Sequence, residues 1–73
     1  MEKLTISNNV RKLRFQHNEM TQQQLAEQAG VTRQTIVAIE QGKYTPSLEL
    51  AFRLAVIFEV PLEEVFFLST PPP

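Results

Sequence analysis

The sequence contains no cysteine, no tryptophan and no aspartate, and its only histidine is His17. Without thiols it can form no disulfide and offers no thiolate to a metal ion. Without aspartate or a second histidine it can assemble neither a Ser-His-Asp triad nor a zinc site. Its two glycines are too few for a glycine-rich phosphate-binding loop. We therefore expect no enzyme, no metal and no cofactor, and we expect His17 to act as a polar group near a helix end.

Long apolar runs are absent as well. No apolar stretch approaches the roughly 20 residues that a membrane-spanning helix needs, and the N-terminus lacks the basic-then-apolar pattern of a signal peptide. The absence of cysteine fits a reducing compartment, so we expect a cytoplasmic protein. The chain has 73 residues, which predicts one small domain that buries about 60% of its unfolded surface.

Two short helical patterns follow each other in the middle of the chain, over residues 22–29 and 33–41. Thr21 precedes the first, and Gln24 follows it three residues later, which is the spacing of a capping box. Thr32 can cap the second pattern, and Gly30 stands where the chain must turn. A helix, a three-residue turn and a second helix form a helix-turn-helix, whose second helix fits the major groove of DNA.

Three further helices are predicted around this pair. The first begins at about residue 8 or 9 after a cap at Ser7 or Asn8 and ends at 17, the fourth covers 48–58 after Ser47, and the fifth covers 62–68 after Pro61. The buried stripe of the fourth helix is predicted to be Leu48, Ala51, Leu54, Ala55 and Phe58. Residues 1–7 form either a disordered lead-in or a short strand, and 69–73 form a proline tail. The predicted fold is all-α, with five helices in one domain over residues 8–68.

The central pattern resembles the helix-turn-helix of phage repressor and Cro-type transcriptional regulators, the Xre family. The resemblance rests on Gln22, Leu25 and Ala26 in the first helix, Ala29, Gly30 and Val31 at the turn, Ile36 and Ile39 in the second helix, and the segment 40–47. It implies a sequence-specific regulator that binds double-stranded DNA, in particular a repressor that binds a palindromic operator as a homodimer. Small members of the family also serve as antitoxins or as controllers of restriction–modification genes.

The net charge of −1 does not by itself favour DNA binding. The charge is uneven, however. Residues 1–43 carry six lysines and arginines against four glutamates, whereas residues 44–73 carry one arginine against four glutamates. The positive charge therefore accompanies the helix-turn-helix. We expect weak non-specific binding, so that affinity depends on dimer formation and on specific contacts.

The second helix of the motif turns its isoleucines towards the core and a second set of residues outwards. The predicted base-contacting residues are Arg33, Gln34, Thr35, Val37 and Ala38. Arg33 could donate two hydrogen bonds to a guanine, Gln34 could pair with an adenine, and Val37 or Ala38 could touch a thymine methyl group. Thr35 could instead bond to the backbone, contact a phosphate or pack. The alternative is that Arg33 and Gln34 are ordinary solvated residues.

Residues at both ends of the motif are predicted to contact DNA phosphates. These residues are Thr21, Gln22, Gln41, Lys43 and Tyr44. Gln22 matches the family residue whose amide reaches a phosphate, and a helix N-terminus favours an anion there. Gln41 and Lys43 flank Gly42, where the DNA backbone should pass. The alternative for Gln22 is a polar first-turn residue without a partner.

Arg14 and Glu40 match the family's ion pair between the first helix and the end of the third. In that role the pair would hold the DNA-contacting helix on the scaffold, and loss of one partner would be strongly destabilising if the pair is buried. The alternative is two independent surface charges.

Apolar residues exceed what a small core requires. Phe52 and Val56 lie one turn apart beside the predicted stripe of the fourth helix, and Phe66, Phe67 and Leu68 crowd a short fifth helix. Since exposed apolar patches often mark interfaces, Phe52, Val56, Phe67 and Leu68 are predicted to line a two-fold dimer contact. The alternative is that some of them complete the core.

A second function hypothesis is a protein-interaction module, such as an antitoxin that binds a partner protein with or without DNA. The acidic isoelectric point and the apolar C-terminal residues favour it. Loss of DNA binding in a folded Arg33→Ala variant would argue against it.

Overall fold

Five short helices and a two-stranded sheet make up the computed structural model, which describes residues 5–69. The helices are α1 (Val10–Gln16), α2 (Gln22–Ala29), α3 (Arg33–Glu40), α4 (Leu48–Phe58) and α5 (Leu62–Val65), and the strands are β1 (Ile6–Asn8) and β2 (Phe66–Leu68). The fold is a mainly helical helix-turn-helix domain, and the all-α prediction omitted the small sheet. The first four residues of the predicted lead-in and residues 70–73 of the predicted proline tail lie outside the described residues.

The prediction that helix 5 extends to residue 68 is wrong. Helix α5 ends at Val65, and Phe66 has the extended angles φ −127° and ψ 135°. A continued helix would carry three large apolar residues on all of its sides, whereas aromatic residues suit a strand. Strand β2 pairs antiparallel with β1, with Ser7 opposite Phe67. Two alternatives were open for residues 1–7, a disordered lead-in or a short strand. In the described part of this segment, the short strand is the one observed.

The predicted caps of three helices are confirmed. The Thr21 hydroxyl accepts a hydrogen bond from the Gln24 N–H at 3.0 Å, and the Gln24 side chain accepts one from the Thr21 N–H at 2.9 Å. The hydroxyls of Thr32 and Ser47 accept hydrogen bonds from the N–H groups of Thr35 and Leu50 and so cap α3 and α4. Gly30 ends α2 with a φ of 74°, a left-handed conformation that glycine adopts without steric cost.

The start of α1 differs from the predicted cap at Ser7 or Asn8. Ser7 lies in β1, and Asn9 occupies the N-cap position without a side-chain cap bond. The Asn8 side chain still accepts a hydrogen bond from the Val10 N–H at 3.1 Å. The pairing of β1 with β2 extends the strand through Asn8, and this moves the helix start by one residue.

The core forms where all five helices meet. Its buried residues are Val10, Leu13, Leu25, Ala26, Ala29, Ile36, Ile39, Leu50, Leu54, Ala55, Phe58 and Val65. One member of the predicted α4 stripe is wrong: Leu48 is 68% exposed, and Leu50 is buried in its place with 7% exposure. The stripe is centred on Leu50, Leu54 and Phe58, which are spaced by one helical turn, and Leu48 lies about 200° around the helix from Leu50.

Candidate nucleic-acid interface

Helix α3 presents two different faces. Ile36 and Ile39 are buried against the core, while Arg33 and Gln34 at the start of the helix are exposed. The other three predicted base-contacting residues, Thr35, Val37 and Ala38, are half-buried. The Thr35 hydroxyl lies 3.0 Å from that of Thr32, so it takes part in the N-terminal cap of α3.

The end of α3 is fixed by a buried ion pair. The Arg14 Nε donates to Glu40 Oε2 at 2.6 Å and its Nη2 donates to Glu40 Oε1 at 3.1 Å, and the two side chains are only 7% and 9% exposed. A third N–H of Arg14 donates to the Met20 carbonyl at 2.8 Å. This planar, bidentate geometry is the arrangement in which a guanidinium binds a carboxylate most strongly. It ties α1 and the turn before α2 to the C-terminal end of α3.

Gln22 also bonds to this carboxylate. Its side-chain amide donates to Glu40 Oε1 at 3.1 Å. An amide nitrogen carries two N–H groups, so one of them remains for a further acceptor. The start of α2 is thus held against the end of α3, and a phosphate contact by Gln22 stays a prediction.

Two side chains hold helix ends in place through bonds that the sequence did not predict. The Asn8 side chain donates to the Ile39 carbonyl at 2.9 Å, and the Arg53 guanidinium donates to the Ala29 carbonyl at 2.8 Å. The last carbonyls of a helix lack partners within the helix, so these bonds stabilise the ends of α3 and α2. The paired asparagines before α1 signalled a helix start, but their long-range partners had no sequence signal.

The loop after α3 uses its own backbone donors internally. The N–H groups of Gln41, Gly42 and Lys43 donate to carbonyls of the last turn of α3, and Gly42 has a φ of 74°. Contacts from Gln41 and Lys43 to a phosphate would therefore be made by their side chains. Those of Gln41, Lys43 and Tyr44 belong to exposed residues, as does that of Thr21 at the opposite end of the motif.

An open cleft of about 630 Å³ lies between α1, the start of α2 and the outward face of α3. We call it the α1–α3 cleft. Both members of the predicted ion pair line it, and so do five of the ten predicted DNA-contacting residues, namely Thr21, Gln22, Arg33, Val37 and Gln41. The other five, which are Gln34, Thr35, Ala38, Lys43 and Tyr44, are not part of its lining. The structure therefore brings residues from both ends of the helix-turn-helix to one surface.

The four residues predicted to line a dimer contact are all exposed. Phe52 and Val56 lie on α4, and Phe67 and Leu68 lie on β2. None of them belongs to the core, so the alternative that they complete it does not apply. The exposed Leu48 precedes Phe52 by four residues, and Leu48, Phe52 and Val56 therefore form one apolar stripe along α4.

His17 has a local structural environment. Its Nδ1 lies 3.0 Å from the Leu13 carbonyl oxygen, and its ring contacts the Phe58 ring edge to face at a centroid distance of 5.5 Å. Within residues 5–69, no three histidine, cysteine or acidic side chains are grouped so as to hold a metal ion. No helix in the same range is long and apolar enough to cross a membrane.

Comparison with known proteins places this geometry in a family. The family model described as Helix-turn-helix matches residues 10–65. The chain is 51% identical over 61 residues to an uncharacterized HTH-type transcriptional regulator of Methanocaldococcus jannaschii, and the alignment covers 84% of this chain and 91% of that protein.

Two solved structures share the fold. A Bacteroides fragilis protein described as DNA-binding superposes with a TM-score of 0.73 at 24% identity, over 84% of this chain and 97% of that one. The restriction–modification controller protein C.AhdI from Aeromonas hydrophila superposes with a TM-score of 0.66 at 27% identity, over 75% of this chain and 78% of that one. The family predicted from the sequence is confirmed: the chain belongs to the Xre-type helix-turn-helix family of DNA-binding transcriptional regulators.

Proposed function

We propose that the protein is a cytoplasmic repressor that binds a palindromic operator in double-stranded DNA as a homodimer. The observation that carries this proposal is the exposed pair Arg33 and Gln34 at the start of a helix whose opposite face is buried. The far end of that helix is fixed by the buried Arg14–Glu40 pair. In a helix-turn-helix, the N-terminal residues of the second helix are those that reach base edges.

Base recognition would rest mainly on two side chains. An exposed arginine can donate two parallel hydrogen bonds to O6 and N7 of a guanine, and an exposed glutamine can pair with N6 and N7 of an adenine. Val37 and Ala38 are half-buried and apolar, which suits contact with a thymine methyl group. The hydroxyl of Thr35 is engaged with Thr32, which favours a positioning or phosphate-contacting role for it.

Phosphate contacts would flank these residues on both sides. Gln22 stands at the first position of α2, where the helix dipole favours an anion. Lys43 lies just beyond α3 and offers an exposed cation. Gln41, Tyr44 and Thr21 are exposed hydrogen-bonding residues close to the same two helix ends. Such contacts fix the position of the protein on the duplex without selecting a base sequence.

A homodimer would supply the remaining selectivity. One such helix contacts only a few base pairs, whereas two helices related by a two-fold axis and set about 34 Å apart can contact both halves of a palindrome. The apolar stripe of Leu48, Phe52 and Val56, together with Phe67 and Leu68 on β2, supports a contact between copies. Exposed apolar surface of this kind is unusual on a monomeric protein.

Replacing Phe67 by glutamate is expected to convert the dimer into a folded monomer. Phe67 is exposed on β2, so the new charge would be solvated in the monomer but would be buried in the dimer contact. Analytical ultracentrifugation would measure the change in mass. As a control, Glu27→Gln alters an exposed residue of α2 outside the proposed contact and should leave the dimer intact. A Phe67→Glu variant that is folded and still dimeric would contradict the assignment.

The function itself is tested by binding to DNA. Fluorescence anisotropy would compare the duplex upstream of the protein's own gene with a scrambled duplex of equal length, at low and moderate salt. We expect tight, salt-sensitive binding to the first duplex only. Equal weak binding to both duplexes would argue against an operator in this upstream region, and no binding to either would favour the protein-interaction alternative.

A further inference from the structure

One exposed aromatic side chain of the described residues belongs neither to the core, nor to the predicted DNA contacts, nor to the proposed dimer contact. Phe15 on α1 is 51% exposed. Two guanidinium groups lie near its ring, with the Arg11 Cζ at 5.4 Å and the Arg14 Cζ at 5.2 Å from the ring centroid. Both distances are those of cation–π contacts.

The two arginines differ in what else they bind. Arg14 is buried and bonded to Glu40 and Met20. Arg11 is exposed and forms no ion pair with any residue between 5 and 69. The Phe15 ring therefore contacts one immobilised guanidinium and one that forms no ion pair within the described residues. A contact with the ring is not a hydrogen bond, so the N–H groups of Arg11 remain available, and two N–H groups of a guanidinium match the oxygens of a phosphate.

Arg11 and Phe15 also line the α1–α3 cleft, together with Arg33 and Val37 of the predicted base-contacting set. Arg14 neutralises Glu40 within this cleft, which leaves the positive charges of Arg11 and Arg33 against the single carboxylate of Glu19. If α3 lies in the major groove, a DNA strand that borders the groove passes beside the cleft. An anion there would meet the N–H groups of Arg11.

We propose that Arg11, oriented by the ring of Phe15, binds a backbone phosphate of duplex DNA. The inference rests on the proposed DNA-binding function and extends the contact surface from the helix-turn-helix onto α1. Arg11 makes the contact, and Phe15 acts as a positioning residue that restricts the guanidinium before DNA arrives. Because the side chain is already restricted, it loses less conformational entropy when it binds DNA.

Arg11→Gln and its neighbour Lys12→Gln form a matched pair for the test. Both remove one exposed positive charge from α1, but Lys12 does not line the cleft. The probe is a mixed-sequence duplex of about 20 base pairs, two helical turns, with binding measured by anisotropy over a series of salt concentrations. We expect Arg11→Gln to reduce the slope of log K against log salt by about 0.9 for each phosphate that the variant no longer neutralises. We expect Lys12→Gln to leave the slope unchanged.

Phe15→Leu tests the positioning role separately. It keeps an apolar side chain but removes the aromatic face, so it should weaken DNA binding when Arg11 is present and have no effect in an Arg11→Gln background. Such non-additivity is the signature of two residues that act together. Urea unfolding of each variant would show that the fold is retained.

The outcomes separate this inference from the function on which it rests. Equal slopes for Arg11→Gln and Lys12→Gln, or additive effects of Arg11→Gln and Phe15→Leu, would overturn the inference while DNA binding by the unaltered protein stands. Failure of the unaltered protein to bind either this duplex or the duplex upstream of its own gene at the lowest salt would overturn both.

Discussion

Replacing Arg14 by methionine is expected to lower the free energy of unfolding by about 3–5 kcal/mol. The variant removes the three hydrogen bonds that Arg14 donates to Glu40 and Met20. It leaves the Glu40 carboxylate, which is 9% exposed, with Gln22 as its remaining partner. At about 0.05–0.15 kcal/mol per residue, the total free energy of unfolding of a domain of this length is roughly 4–11 kcal/mol. The substitution should therefore remove a large part of the stability.

Urea unfolding monitored by circular dichroism would measure this loss. The matched control is Glu49→Ala, which breaks the other ion pair of the described residues, Arg53–Glu49. Its side chains are 45% and 79% exposed, so the expected loss is below about 1 kcal/mol. The double variant Arg14→Met/Glu40→Leu should recover much of the stability, because a buried ion pair can be replaced by packed apolar residues. Equal small losses for Arg14→Met and Glu49→Ala would show that the buried pair does not stabilise the fold.

The features of the fold that were predicted correctly depend on residues that are close together along the chain. The capping box of Thr21 and Gln24 spans three residues, and Gly30 follows the helix that it ends. Both depend on local geometry, which is the same in any protein that contains the pattern. The outward direction of Arg33 and Gln34 likewise follows from the helical repeat.

The sheet could not be predicted in the same way. Strands β1 and β2 are separated by nearly the whole chain, and each has only three residues. Such short segments carry no alternation long enough to distinguish a strand from a helix end. Residues 66–68 form a strand because they pair with β1, and their strand propensity alone could not show that such a partner existed.

In the candidate site, too, some contacts were visible in the sequence and others depended on how the helices pack. The resemblance assigned Arg14 and Glu40 to one ion pair, yet it gave no sign that Gln22 would bond to the same carboxylate. Arg11 and Phe15 are four residues apart on α1, a spacing that allows contact on a helix surface. That spacing was visible in the sequence, but the position of the pair beside Arg33 required the packing of α1 on α3.

Replacing Arg33 by alanine is expected to reduce the preference for the operator strongly while leaving the fold intact. One bidentate contact between an arginine and a guanine contributes about 1–3 kcal/mol of discrimination, and a homodimer makes the contact twice. The expected loss is thus about 2–6 kcal/mol per dimer, or at least about 30-fold in affinity. Since Arg33 is exposed and forms no ion pair in the described part of the chain, the urea midpoint should change little.

The decisive measurement is how much each variant loses in affinity for the operator duplex compared with the scrambled duplex. Lys12→Ala removes the same charge from an exposed site on α1 and should weaken binding to operator and scrambled DNA by the same small factor, if at all. Arg33→Ala should weaken binding to the operator far more than to the scrambled duplex, because the operator complex forfeits a base-specific hydrogen bond and the scrambled complex only long-range attraction. An equal reduction on both duplexes would assign Arg33 to the phosphate backbone, and base recognition would then have to rest on Gln34 and its half-buried neighbours.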